Sequence, residues 1–151
     1  MSKLIAEEMR IDKGFLGDAV GGIESGRIDL SKCIKMAFEV QLDTGVGTTC
    51  VLNLKQHDAA SGGNSASLVS SVPYYKKTDA ETKFTRVDSN VAAISDLDTV
   101  AGSVIVEVYK HDLDEGYGFA SIEVASPGAA RIVSVSAILD SKLKPAYDQE
   151  L

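Results

Sequence analysis

The chain has 151 residues, 44% of them hydrophobic and 25% charged, a balance that suits one globular domain with a single core and excludes global disorder. Its formal charge is −7, and its lysines and arginines are scattered, so it lacks the clustered cations with which a nucleic-acid binder neutralises phosphates or a polybasic segment grips an anionic membrane. No apolar run approaches the roughly 20 residues needed to span a bilayer, and without Trp the core falls to Val, Ile, Leu and Ala.

Taken in chain order, Met1-Ser-Lys-Leu-Ile-Ala-Glu-Glu-Met-Arg10 has neither the apolar stretch nor the small-residue cleavage site of a secretory signal, so a protein made and kept in the cytoplasm is expected. Residues 1–32 stand apart. Gly14, Gly17, Gly21, Gly22 and Gly26 punctuate short apolar pairs such as Leu4-Ile5 and Phe15-Leu16, and neither a helical nor a strand period lasts. The division expected is an N-terminal arm over 1–32 and a single β-sandwich domain over 33–151. Leu4, Ile5, Met9, Phe15 and Leu16 are apolar residues that such an arm cannot bury by itself, which makes them the candidate residues for contact with a neighbouring subunit or a larger assembly. A strand or loop packed on its own domain is the alternative for the same segment.

From Lys35 the pattern sharpens. Met36, Phe38, Val40 and Leu42 alternate with Ala37, Glu39 and Gln41, and after Asp43-Thr-Gly-Val-Gly47 a second alternation runs through Cys50, Leu52 and Leu54. The two runs are expected to pair as a hairpin. Cys33 and Cys50 form no CxxC pair, and in a reducing compartment both are expected as thiols. His57 to Ser67 is small and polar, an exposed loop. Short strands are expected at Leu68-Val69 and Val72, Tyr74-Tyr75 and Lys83 to Val87, and two brief β segments between Ser89 and Gly102, with a helical turn as the alternative there.

In the last third, Ser103 to Lys110, Gly118 to Val124 and Ala130 to Leu139 are rich in Val and Ile and separated by Gly and Pro, which reads as a meander of antiparallel strands. About eight short strands and no long amphipathic helix predict an all-β antiparallel sandwich, jelly-roll-like or Greek-key, with the extended N-terminal arm attached.

Chemistry is harder to find. The two histidines each precede an aspartate, His57-Asp58 and His111-Asp112, and could converge on a divalent metal if their strands were neighbours. Both dipeptides sit where strands run out, so they are read as solvated strand ends. Asp112-Leu-Asp-Glu-Gly-Tyr-Gly118 departs from a calcium loop because its glycine comes one residue early and its flanks are strands. Gly63-Asn-Ser-Ala-Ser67 lacks the last glycine of a nucleophile elbow, and Ile23 stands where a phosphate loop needs lysine. No catalytic residue, cofactor or metal site is therefore expected, and the protein is read as not an enzyme. Tyr74, Tyr75, Tyr109, Tyr117 and Phe119 could build a sugar-stacking face, although strands recruit such residues for packing alone.

The order Leu52-Asn-Leu-Lys-Gln-His-Asp58, a Gly/Ser/Ala-rich loop, Lys83-Phe-Thr-Arg-Val87, and then the three late strands with a closing Lys144-Pro145 resembles small virion structural proteins of tailed bacteriophages. Within that class it looks most like the head decoration or cement proteins, over residues 35–146. The resemblance implies a non-enzymatic protein that sits on the capsid surface, binds the major capsid protein and its own copies as a dimer or trimer, and stabilises the shell. A tail or head-to-tail component, or a glycan-binding sandwich, would carry the same strands.

Overall fold

A computed structural model of the chain describes residues 9–18, 23–31, 33–44, 51–68, 72–88, 97, 100–125 and 132–141. Among the described residues there are eleven strands: β1 (Met9–Asp18), β2 (Ile23–Glu24), β3 (Ile28–Asp29), β4 (Cys33–Leu42), β5 (Leu52–His57), β6 (Ser65–Ser67), β7 (Tyr74–Thr78), β8 (Thr85–Val87), β9 (Gly102–Val108), β10 (Phe119–Val124) and β11 (Ile132–Ser141). A 3-10 turn, Lys110–Asp112, follows β9, and Leu97 is also in 3-10 conformation. Among the described residues no helix is long and apolar enough to cross a membrane.

The strands form two antiparallel sheets. The larger runs β1-β11-β4-β9-β7-β8, and the smaller runs β2-β10-β5-β6 with β3 also paired to β10. The chain passes back and forth between the layers, so the expected antiparallel sandwich is present in its jelly-roll form, with β7 and β8 added as a hairpin to one sheet. The core lies between the layers, where Phe38, Val40, Val104 and Val106 of the larger sheet face Leu52, Ile122 and Ala120 of the smaller.

Period-2 alternation explains each strand but not its partner. In β4, Met36, Phe38, Val40 and Leu42 are buried as the spacing predicts. The expected hairpin between this run and the next is not formed: β4 pairs with β11 and β9, whereas β5 pairs with β10 and β6 in the opposite layer. The late meander is corrected for the same reason, because β9 and β11 lie in the larger sheet and β10 lies in the smaller. Both runs have one apolar face, and that face is satisfied equally by sitting beside a strand or across the core from it.

Residues 9–18, where no strand period is legible, form the outermost strand of the larger sheet. Met9 is paired with Asp140 and Asp18 with Ile132, with a register shift between Lys13 and Phe15. The ladder joins opposite ends of the chain, so no local pattern could announce it. The two short β segments expected between Ser89 and Gly102 fall mostly outside the described residues. Leu97, which is described, is fully buried.

Candidate functional site

The residues singled out as contacts are divided by the structure. Leu4 and Ile5 lie outside the described residues. Met9, Phe15 and Leu16 lie on β1, with Phe15 in register with Val135 and Leu16 with Ser134. Cys33 is buried, its Sγ 3.8 Å from the carbonyl of Asp29, and Cys50 lies outside the described residues.

The two His-Asp pairs do not meet. His111 is a solvated strand end as expected: it is 80% exposed, stacks on Tyr109 at 5.3 Å and reaches Asp112 only at 3.7 Å. His57 is different. It is 1% exposed, on the outward-facing side of β5, and both ring nitrogens are occupied. Nδ1 lies 2.6 Å from Ser65 Oγ, and Nε2 lies 2.7 Å from Ser121 Oγ and 3.2 Å from Glu24 Oε1. Ser121 Oγ in turn donates to the same Glu24 oxygen at 2.6 Å. A neutral ring with its proton on Nε2 satisfies every group: Ser65 donates to Nδ1, and Nε2–H donates toward Ser121 and Glu24.

This network joins four strands of the smaller sheet. Lys55 bridges Glu24 and Glu123, each at 3.2 Å, and Asn53 donates to Glu123 at 3.0 Å. Burial pushes the Glu24 carboxyl up, but the hydrogen bonds from Ser121 and Lys55 and the charge of Lys55 outweigh it and hold the group below its ordinary value. Burial pushes Lys55 down, and its two glutamates more than reverse the effect. His57 is lowered first by burial and then by the charge of Arg27, with Glu24 opposing.

The loop after β5 is exposed, as its composition predicts, yet it is tied at every turn. Asp58 accepts from the backbone N–H of Asn64 at 2.8 Å and from its side-chain amide at 2.9 Å. Arg27 donates to the carbonyls of Ala59 and Gly62 at 2.9 and 2.6 Å. Gly62 and Gly63 adopt φ of +65° and +64°, and a Cβ on Gly63 would collide with Asp58 Oδ1. Asp58 is therefore a loop tether, with no reach toward His57's ring.

Asp112 and Asp114, the acids of the calcium-like stretch, serve the turn. Asp112 accepts from the N–H of Tyr109 at 2.8 Å. Asp114 accepts from the side-chain amide of the fully buried Gln56 at 2.6 Å and returns its own backbone N–H to Gln56 Oε1 at 2.8 Å. Among the described residues no three His, Cys, Asp or Glu gather as a metal centre would require.

The aromatic residues share no platform. Tyr74 is in the core at 6% exposure, and its neighbour Tyr75, on the opposite face of β7, sits across from Ile105 and Arg86. Tyr117 packs partly against the core, and Phe119 lies across from His57.

No protein-family model matches the chain, and no curated protein sequence matches it. Similarity is found among solved structures. The SPBc2 prophage-derived protein YomS is 14% identical with a TM-score of 0.47, over 87% of this chain and 91% of that one. A Bacillus endospore appendage protein, from a family of disulfide-linked pili, is 12% identical with a TM-score of 0.35, over 88% of both chains. The CBM22-1 xylan-binding domain of Paenibacillus barcinonensis Xyn10C is 10% identical with a TM-score of 0.36, over 89% of this chain and 83% of that one. At these levels no role passes from any of them to this protein.

Proposed function

We propose that this protein is a non-enzymatic structural component of a tailed-bacteriophage virion, one that docks on the outside of the assembled capsid and stabilises it. The carrying observation is the position of β1. Ten residues long, it is the terminal strand of a six-stranded sheet, and among the described residues its second edge pairs with no other strand. An open edge of that length offers main-chain donors and acceptors to a further strand, the mode by which β-augmentation joins separate chains. The polar groups buried on the smaller sheet bind one another, which suits a rigid slab more than a reaction centre. A bound subunit stabilises the closed shell over the opened one by mass action, in proportion to how much better it binds the former.

Proline scanning on β1 tests the reading. Successive N–H groups of a strand point to opposite sides, so of Ile11→Pro and Asp12→Pro one breaks the ladder to β11 and the other removes only an outward donor. The tolerated variant, identified by an unchanged thermal transition, is expected to lose occupancy on capsids purified without the wild-type protein. Full occupancy by that variant would overturn docking through β1, and absence of the wild-type protein from purified particles would overturn the virion role itself.

A further inference from the structure

We infer that a cleft at one end of the larger sheet is a binding site for an organic cation, a guanidinium or ammonium group. The cleft has a volume of about 410 Å³ and is lined by Gln41, Leu42, Asp43, Asp79, Gly102, Ser103 and Ser134, with Ala101 beside Gly102. Its floor is one cross-strand row on the outward face: Gln41 of β4 is in register with Ser134 of β11 on one side and Ser103 of β9 on the other. Asp43 follows β4 and Asp79 follows β7, held there by the bond from its N–H to the carbonyl of Ala101 at 2.9 Å.

Ser103 identifies the cleft as more than a dent. Its residue is only 9% exposed, yet its hydroxyl has no hydrogen-bond partner among the described residues. A buried hydroxyl without a partner is a standing cost to the fold, one that a ligand in the cleft would relieve. The Asp79 carboxylate likewise has no partner among the described residues. Gln41 spends its amide N–H on Glu39 at 3.1 Å, which leaves its carbonyl oxygen as an acceptor.

Donor and acceptor bookkeeping then selects the ligand. Among the described residues the Asp79 carboxylate, an amide oxygen and two hydroxyls face the cleft and no lysine or arginine lines it, while Asp43 adds negative charge with one oxygen already accepting from the N–H of Thr44 at 2.7 Å. Lys77, the next outward-facing residue along the row, is drawn aside over the ring of Phe84 at 5.5 Å. A sugar presents acceptors as well as donors and would find few donors here. A calcium ion takes about 6–8 oxygens, usually with several carboxylates, and a bare ion would leave most of the volume unfilled. A guanidinium carries five N–H donors and no acceptor, the complement of this lining, and the chain's charge of −7 favours a cation's approach.

The test is an amide-resolved NMR titration of the full chain with acetyl-arginine-amide, its neutral isostere acetyl-citrulline-amide, methylguanidinium and calcium chloride. Shifts confined to residues 41–43, 79 and 101–103 are expected with the two guanidinium compounds and not with citrulline. Asp79→Asn is expected to weaken binding about tenfold or more, and Ser103→Ala roughly two- to tenfold, with the thermal transition retained. Tighter binding of the arginine derivative than of methylguanidinium would identify a partner's arginine side chain as the source, and equal binding a free guanidino compound. Absence of shifts at millimolar ligand, equal shifts with citrulline, or shifts with calcium alone would overturn the inference. The measurement is independent of capsid occupancy, so the cleft and the virion role can fail separately.

Discussion

His57 shows how much a single residue's meaning depends on what closes over it. Its sequence context is a strand end beside an aspartate, and its neighbours in space are Glu24, Arg27, Lys55, Ser65 and Ser121, drawn from strands and turns up to 64 positions away in the chain. Because burial and Arg27 hold its folded pKa below the ordinary 6.5, the unfolded chain takes a proton first as pH falls. Stability from this group is therefore fully present above pH 6.5 and is lost as pH drops through the folded value. Glu24, lowered from 4.5, extends the loss into more acidic solution. The midpoint of urea unfolding is expected to fall between about pH 7 and pH 5, and His57→Gln to flatten that slope; an unchanged slope in the variant would place the titration elsewhere. Removing the shared hydroxyl with Ser121→Ala takes one hydrogen bond from Nε2 and one from Glu24, which keep each other at 3.2 Å, and should cost about 1–3 kcal/mol in the same assay.

At the scale of the strand, alternation told correctly which residues face inward. Met36, Phe38, Val40 and Leu42 are buried, as are Leu52 and Leu54 on the next strand. What alternation cannot tell is the partner, and both expected hairpin-like pairings failed on that point. Gly102 is where one such partnership is enforced: a Cβ there would strike the Lys77 carbonyl on β7 and a methyl of Leu97. The methyl can turn away and the carbonyl cannot. Gly102→Ala is therefore expected to destabilise the protein by about 1–3 kcal/mol through strain at the β7–β9 pairing, read as a lowered thermal midpoint. A neutral result would show that the two strands part easily at that end.

The molecule as a whole is stitched by long-range pairings, β1 with β11 above all, so the entropy of closing large loops must be met before most ladders form. Refolding is expected on the scale of about milliseconds to seconds, and with five tyrosines and no tryptophan it can be followed by stopped-flow tyrosine fluorescence. Microsecond folding would contradict so non-local a topology. The outward faces differ in kind. The smaller sheet's face is consumed by the Glu24–Lys55–Glu123 chain and the His57 network, whereas the larger sheet carries both the acidic cleft and the edge of β1 that is unpaired among the described residues. Both proposed contacts therefore belong to one layer.

Composition and period-2 spacing by themselves determined an all-β sandwich, most of its strands and most of its core, because burial of one strand face is a local property of the residues along it. The expected arm, the metal and sugar constellations and the contact residues rested on residues whose meaning is set by distant partners. Only the tertiary structure decided that β4 and β5 lie in opposite layers, that residues 9–18 close the larger sheet, that His57 is enclosed, and that Gln41, Ser103 and Asp79 face one cleft. Pairing between strands a hundred residues apart is chosen by the energy of the complete core, and no window of sequence contains that sum.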